Sequence, residues 1–471
     1  MQILKDINPK NVMPFFEDIC AIPHGSGNTA AIADYCINKA YEMGLFAVKD
    51  SMGNVVIKKD ATKGYEDHPA VALQAHLDMV CEKAEGVSFD FEKNPLEITV
   101  DGDYITANGT TLGGDDGIGL AMILAVLGDS DLNHPPLEVL FTVDEETGMF
   151  GAAGLDETQI LARRMINIDS EEEGVLTVSC AGGGSVEGRF ELGMQSVDMP
   201  CYEVTVSGLL GGHSGVEIHK GRHNANILLG KFLSQINAPY NIISLSGGSK
   251  ENAIPSFAIL KIATNCDIFD LATEFESLNL HDNEPDLKIL VTKIPAENTA
   301  FSTDASKTIT DFLCGLKNGV VKMSQSIKGL VQTSLNLGIL RAENGQLTAN
   351  ISVRSSVNAE KVNLIAWLKE YIKNLGGKAT DGNYYPAWEY LENSPLRQVM
   401  VQCFEKQYGK QPVVAAIHAG LECGLLSEKL PGLDAVSFGP NMVGIHTPNE
   451  KLSISSTERC YEYLCNVLEN L

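Results

Sequence analysis

Up to about residue 185, apolar and polar positions along the chain switch between two rhythms. NVVIKK at 54–59 and AVALQAHLD at 70–78 are short apolar runs of the strand kind, as are LEVLFTVDEE at 137–146 and MINIDS at 165–170. The last two end in acids, which predicts interior strands whose C-terminal ends carry polar side chains. LEITVDGDYITA at 96–107 predicts a hairpin turned by Asp101-Gly102. Among these lie helical patterns. Residues 28–43 (NTAAIADYCINKAYEM) predict a helix opened by an Asn or Thr cap and closed by Gly44. Residues 117–128 (GIGLAMILAVLG) are apolar on every side, which predicts a buried helix. Strands alternating with helices predict an α/β sheet. Ligands of such sheets bind beyond the carboxyl ends of the strands.

The rhythm changes after Gly182-Gly183-Gly184. Strand-like pieces such as CYEVTVSG (201–208) and QLTANISVRSS (346–356) then alternate with helices in an α+β pattern. One helix, Asn358 to Leu375, places Val362, Ile365, Ala366, Ile372 and Leu375 on one face and stops at Gly376. From Tyr384 the first rhythm returns. Ser394-Pro395 opens a helix with Leu396, Val399, Met400, Cys403 and Phe404 on one face, closed by Gly409. Strand-like VVAAIHAG and LDAVSFG follow. The expected organisation is one discontinuous domain, residues 1–186 with 384–471, and an inserted lid, residues 187–383.

The 471 residues exceed what one hydrophobic core usually supports, which agrees with two domains. Hydrophobic residues at 44% and charged residues at 20% are ordinary for a globular protein. With 35 basic and 61 acidic side chains, the formal net charge of -26 argues against nucleic acid and anionic membranes as partners. No apolar run is long enough to span a bilayer. The N-terminus lacks a basic start followed by an apolar stretch, so a cytoplasmic location is expected. The eleven cysteines include no C-x-x-C pair, and Cys314 and Cys403 have apolar neighbours on helix-like segments. They read as free, buried thiols in a reducing compartment.

Chemistry-bearing residues collect at the strand ends. His76 and Asp78, two apart on a strand, should share a face. A carboxylate beside a ligating histidine fixes its tautomer, although His-x-Asp alone also fits a surface pair. Asp115 and Asp116 lie between glycines before the buried helix. Capping explains one of them and leaves the other to account for. In FTVDEETG, alternation should turn Glu145 and Glu146 different ways, one toward a metal and one toward its water. Asp169 ends the next strand, and the following Glu171-Glu172-Glu173 run reads as a solvated turn. His446 lies in a Gly/Pro-rich loop. Two histidines and several carboxylates at consecutive strand ends form a mixed N/O set that suits zinc, with manganese or cobalt as alternatives. A bridging Asp would hold two ions roughly 3.5–4 Å apart, sharing a hydroxide.

LQAHLDMV, TTLGGDDGIG, DEETGMFGA, INIDSEEEG, GGHSGVEIH, ENAIP, IHAGLECG and GIHTP occur in this order. Together they closely resemble the aminoacyl-histidine dipeptidases, also called Xaa-His or cytosol non-specific dipeptidases. These belong to the dizinc metallopeptidase group that includes carboxypeptidase G-type enzymes and peptidase T. The resemblance spans most of the chain. It implies a zinc-peptidase-like α/β catalytic domain, with a central mixed sheet flanked by helices, plus an inserted α+β lid domain. It implies two divalent metal ions held by His76, Asp115, Glu146, Asp169 and His446, with Asp115 as the bridge. Glu145 matches the general base and Asp78 the carboxylate orienting His76. His213 resembles a lid histidine reaching the substrate carbonyl. Asn252, Arg354 and Gly420 resemble substrate-binding positions, the arginine for a terminal carboxylate.

Asp116 departs from the dipeptidase pattern, which has Asn after the bridging Asp, though Asp is common there in related peptidases. His213, His219 and His223 match no standard zinc spacing. The implied activity is hydrolysis of unblocked dipeptides, Xaa-His among them, with small peptides as partners and a homodimer by analogy. Sister activities on the same site are tripeptide cleavage, carboxypeptidase action and N-acyl amino acid deacylation. A non-catalytic binding protein on the same scaffold would be expected to lack the base or a ligand, and this chain has all of them.

Overall fold

The computed structural model describes residues 3–471. The chain forms two compact units, one of Met1–Ser179, Tyr390–Ala416 and Leu421–Leu471, the other of Cys180–Glu389 and Ile417–Gly420. The observed boundaries lie at 179/180 and 389/390, where the patterning placed them at 186/187 and 383/384. The reason lies in the glycines. Gly182-Gly183-Gly184 is the start of a strand of the second unit. A Cβ on Gly183 would come within 2.3 Å of the Tyr385 ring, so the strand accepts that ring only where side chains are absent. The four-residue return of Ile417–Gly420 to the second unit leaves no trace in the hydrophobic pattern.

The first unit opens with α1 (Met13–Cys20) and α2 (Ala30–Glu42). In α2, Ile32, Ala33, Cys36 and Ala40 are buried, and Gly44 follows with φ +74°. Thr29 occupies the N-cap, but its side chain makes no capping bond. Strands β1 (Phe46–Lys49), β2 (Val55–Lys59) and β3 (Val71–His76) come next, then the hairpin of Ile98–Asp101 and Tyr104–Ala107. Helix α3 (Gly114–Gly128) is buried from Gly114 through Leu127, as its all-round apolar sequence requires. It packs against β3 and α1, and a Cβ on Gly117 would meet Ile19 and Phe16 at 3.3 Å. Truncating a fully buried α3 leucine such as Leu120 or Leu124 would cost about 2–5 kcal/mol. β4 (Leu137–Thr142), β5 (Arg164–Asn167) and β6 (Val175–Cys180) follow.

The second unit is built on one antiparallel sheet. Its strands are β7 (Gly182–Glu191), β8 (Cys201–Ser207), β9 (Tyr240–Gly247), β10 (Ala258–Thr264), β11 (Lys288–Ile294), β12 (Gly319–Met323), β13 (Val331–Glu343), β14 (Gln346–Ser355) and β15 (Lys378–Tyr385). Their order is β11-β8-β10-β9-β13-β14-β7-β15, with β12 also paired to β13. Helices α4 (Ala225–Ser234), α5 (Phe269–Asn279), α6 (Thr303–Gly315) and α7 (Asn358–Asn374) join its core, where Phe232, Phe312, Leu260, Leu340 and Leu368 are buried. The buried face of α7 is Lys361, Leu364, Ile365, Leu368 and Ile372. It is rotated from the expected stripe, because Val362 is 59% exposed.

The chain then returns to the first unit with α8 (Pro395–Tyr408), β16 (Val413–Ile417), α9 (Glu422–Lys429), β17 (Asp434–Ser437) and α10 (Ile454–Glu469). α8 buries Leu396, Met400, Cys403 and Phe404, and Ser394 Oγ accepts the Arg397 N–H at 2.9 Å as its cap. The completed mixed sheet has the order β1-β2-β4-β3-β5-β17-β6-β16. Its centre, β4-β3-β5-β17, is parallel, so Thr142, His76, Asn167 and Ser437 end on one edge. α2, α3 and α8 pack against strands of this sheet. None of the eleven cysteines is in a disulfide, and Cys81 and Cys314 are exposed, against the expectation of burial for Cys314. No helix among the described residues is long and apolar enough to cross a membrane.

Candidate metal centre

The parallel strand ends bring seven of the expected residues together in the first unit. His76 is the last residue of β3 and is 1% exposed. Its Nε2 lies 3.0 Å from Asp115 Oδ1 and 3.6 Å from Asp169 Oδ1. His446 Nε2 lies 3.1 Å from the other Asp115 oxygen, Oδ2, and 2.9 Å from Glu146 Oε1. Asp115 therefore spends one oxygen on each of two histidine–carboxylate groups. Asp115, Glu146 and His446 can converge on one ion, as can His76 with Glu145 and Glu146 or with Asp116 and Asp169.

Local structure explains how each side chain arrives. Asp115 and Asp116 sit in the first turn of α3 with non-helical backbone angles, and neither caps it. That work falls to Glu450, whose carboxylate accepts the N–H groups of Leu112 (2.7 Å), Gly113 (3.2 Å), Gly114 (2.8 Å) and Asp115 (3.4 Å). Glu145 and Glu146 lie in a turn beyond β4, so strand alternation is not what separates them. The turn is closed by the Met149 N–H bonding to the Glu145 carbonyl at 2.8 Å. His446 stands in a loop with φ +60°, a left-handed conformation uncommon for a non-glycine residue.

Asp78 meets His76 chiefly through its backbone. Its backbone carbonyl, not its carboxylate, is 2.9 Å from His76 Nδ1, while Oδ1 is 3.7 Å away. β3 has ended by then, so the two side chains do not share a strand face. The Asp78 carboxylate instead accepts the N–H groups of Glu145 (2.9 Å) and Glu146 (3.2 Å) and the Ser26 hydroxyl (2.7 Å).

The electrostatics are those of crowded acids. Burial, with Asp169, Glu422 and Glu146 nearby, pushes the Glu145 carboxyl up to about 9. Bonds to Asp115 and Glu146 push His446 up to about 10. Burial works to lower His76, but Asp115 and Asp169 outweigh it and hold it well above its usual value. Burial also works to raise Asp115, but His446 and His76 prevail and keep it ionised below the usual carboxylate range. Asp116 is fully buried and its carboxyl is raised, chiefly by burial. Its Oδ2 accepts the His76 N–H at 3.2 Å, and its Oδ1 has no partner among the described residues. Protons thus supply positive charge that a mixed set of imidazoles and carboxylates would otherwise take from divalent cations, so the residues fit such ions.

Two contributors escaped the sequence reading. Glu450 follows His446 in a polar segment, and nothing local marks it. Glu422 is 1% exposed, and its Oε2 accepts Gln74 Nε2 at 2.7 Å and Thr142 Oγ1 at 2.6 Å beside the ends of β3 and β4. Burial pushes its carboxyl up to about 7. The only available signal was an acid in the apolar segment LECGLL. Nor is the triple-Glu run a solvated turn throughout, because Glu173 takes two 2.6 Å bonds from Arg459.

His213, Asn252, Arg354 and Gly420 belong to the second unit. Gly212–His213 pairs antiparallel with Ala253–Ile254, and Ser214 N–H donates to the Asn252 carbonyl at 2.8 Å. His213 Nδ1 accepts the N–H groups of Gly215 and Val216, each at 3.2 Å. The ring's proton is therefore on Nε2, and burial with Arg354 nearby favours the neutral form. Arg354 and Asn252 line one cleft with Tyr385. Gly420 ends the returning segment, in which the Ile417 and Ala419 carbonyls accept the Ala181 N–H at 3.1 and 3.0 Å.

One carboxylate shared between two histidine-containing groups, at the carboxyl edge of a parallel strand set, defines the class of hydrolases that work with paired divalent cations. The chain belongs to peptidase family M20/M25/M40, whose profile matches residues 72–470, and is a metal-dependent peptidase of that family. It is 36% identical to the cytosol non-specific dipeptidase of Escherichia coli (strain K12) over 482 aligned positions, covering 100% of this chain and 99% of that one. Its structure is similar to that of aminoacylhistidine dipeptidase from Vibrio alginolyticus, with TM-score 0.95, 35% identity and 99% and 98% of the two chains covered. Aminopeptidase PepT from Bacillus cereus shares the fold at TM-score 0.58 and 18% identity, with 98% of each chain covered.

Proposed function

We propose that this peptidase hydrolyses unblocked dipeptides, Xaa-His among them, using two zinc ions, with manganese or cobalt as alternatives. The observation that carries the reading is the split of Asp115, with Oδ1 at 3.0 Å from His76 and Oδ2 at 3.1 Å from His446. His76 and Asp169 would hold one ion, His446 and Glu146 the other, and Asp115 both. When bound, such a pair supplies Lewis acidity that brings a water proton within reach of a side-chain base near neutral pH.

Glu145 is that base. Its backbone is pinned by Asp78, and its carboxylate sits among the donors without serving as the shared one. It takes the proton from water and hands it to the departing amine. In the second unit, family resemblance assigns the Nε2–H of His213 to the substrate carbonyl oxygen. It assigns Arg354 to the terminal carboxylate, which a guanidinium can grip with two parallel bonds. Asn252 and Gly420 are assigned to the rest of the substrate. The dipeptidase names of the two similar proteins support the substrate class, and the word cytosol in one supports a cytoplasmic location.

A panel of Xaa-His dipeptides, other dipeptides, tripeptides and N-acetylated amino acids, run on metal-loaded protein with a chelator control, tests this reading. Dipeptides should be cleaved fastest and the chelator should abolish activity. Faster cleavage of tripeptides or N-acetylated amino acids would replace the reading with a sister activity. Glu145→Gln should keep two ions per chain and lose about three orders of magnitude in kcat, within the ~10²–10⁴ range of acid–base catalysis. Near-normal turnover would remove Glu145 from the role.

A further inference from the structure

The second unit carries an unpaired opposition of charge. A cleft of about 150 Å³ is lined by Glu251, Asn252, Arg354, Asn383 and Tyr385, among others. Arg354 Nη1 donates to the Tyr385 hydroxyl at 2.6 Å, while its buried Nε has no partner among the described residues. One edge of the guanidinium is thus left to grip a carboxylate.

Glu251 faces the same cleft from the loop between β9 and the Ala253–Ile254 strand. Its backbone is fixed. The Glu251 carbonyl accepts Asn336 Nδ2 at 3.2 Å, and a Cβ on Gly338 would fall 2.4 Å from that oxygen. Its half-buried carboxyl has the Ser185 hydroxyl as a hydrogen-bond partner. Burial raises it, with Ser185 and the more distant Arg354 only partly compensating. No ion pair joins Glu251 to Arg354 among the described residues, so a negative and a positive group stand apart in one small cleft.

A ligand matching this opposition has an anionic end for Arg354 and a cationic end for Glu251. If Arg354 takes the terminal carboxylate, as the proposed function holds, the group facing Glu251 is the side chain of the C-terminal residue. An apolar side chain would leave the half-buried carboxylate without a counter-charge, and an acidic one would be repelled. We infer that Glu251 is a specificity-determining residue that favours dipeptides ending in lysine or arginine, whose charge is permanent at neutral pH. This rests on the dipeptidase reading.

The test is kcat/KM for Ala-Lys, Ala-Arg, Ala-Leu and Ala-Glu with the zinc-loaded full chain, as wild type, Glu251→Gln and Glu251→Arg. The wild type should prefer Ala-Lys to Ala-Leu, and Glu251→Gln should reduce that ratio about tenfold, a difference of about 1.4 kcal/mol. Glu251→Arg should raise the Ala-Glu to Ala-Leu ratio, a reversal that a merely structural role would not produce. Ratios that stay within twofold of wild type in both variants, in an enzyme that cleaves dipeptides, would overturn this inference alone. A wild type that cleaves no dipeptide would overturn the dipeptidase reading and this inference with it.

Discussion

The Asp78 carboxylate holds the backbone of Glu145, while the Asp78 carbonyl faces the ring of His76. The Glu145 N–H donates to Asp78 Oδ1 at 2.9 Å, and the next N–H, that of Glu146, donates to Oδ2 at 3.2 Å. One buried carboxylate thereby fixes the turn that carries both the candidate base and a candidate ligand. Asp78→Asn replaces one accepting oxygen with an amide NH2 that opposes an N–H. The expected result is a kcat lower by about 10–100-fold with two ions still bound, since the ligands themselves remain. Metal analysis alongside kinetics checks this, and loss of one ion with unchanged kcat per loaded chain would contradict it.

Metal-free protein should lose stability as pH rises from about 6.5 to 9. Glu145 in the folded chain sits at about 9 against 4.5, and His446 at about 10 against 6.5. Both values are raised, so in this window the folded state binds more protons than the unfolded chain, and unfolding becomes easier as protons leave. For His446 the contribution is full below its ordinary value and disappears through about 10. Asp115 is shifted downward, and its effect lies at acid pH. Thermal melts of chelator-treated protein across this range measure the slope, and zinc-loaded protein should lack it. Cation binding should also release protons, seen as a dependence of binding heat on buffer ionisation enthalpy.

Glu450→Ala should destabilise the first unit by about 1–3 kcal/mol, because it removes the acceptor of the α3 N-terminal amides from a buried site. Asp115 is in that turn, so zinc affinity should fall with it. Urea titration and zinc competition read the two effects separately. A stability change under about 0.5 kcal/mol would mean that water caps the helix equally well.

Much of this architecture was legible because its signals are local. Apolar runs ending in Asp or Glu marked β4 and β5, and continuous apolarity marked α3. The same logic set His76, the Glu145-Glu146 pair and Asp169 at consecutive strand ends, and only the family resemblance told Glu146 from Glu145. What it missed is non-local. Glu450 meets Gly114 across 336 positions, and Glu422 meets Gln74 across 348, and no window of sequence contains either pair. The α7 stripe slipped because Lys361 is buried, its ammonium bonding to the Tyr385 carbonyl, so the apolar count pointed to Val362 instead. The backbone amides that the Asp78 carboxylate holds were missed because β3 stops at His76, two residues earlier than its apolar run suggests.

The Glu450 contact also sets an order of assembly during synthesis. A growing chain carries the first turn of α3 for more than three hundred further residues before the group that satisfies its amides has been added. His446 is made only four residues before Glu450, on the same late segment. The nascent first unit therefore lacks β17, a strand of its central parallel set, as well as the closed candidate ion-binding edge until translation is nearly complete.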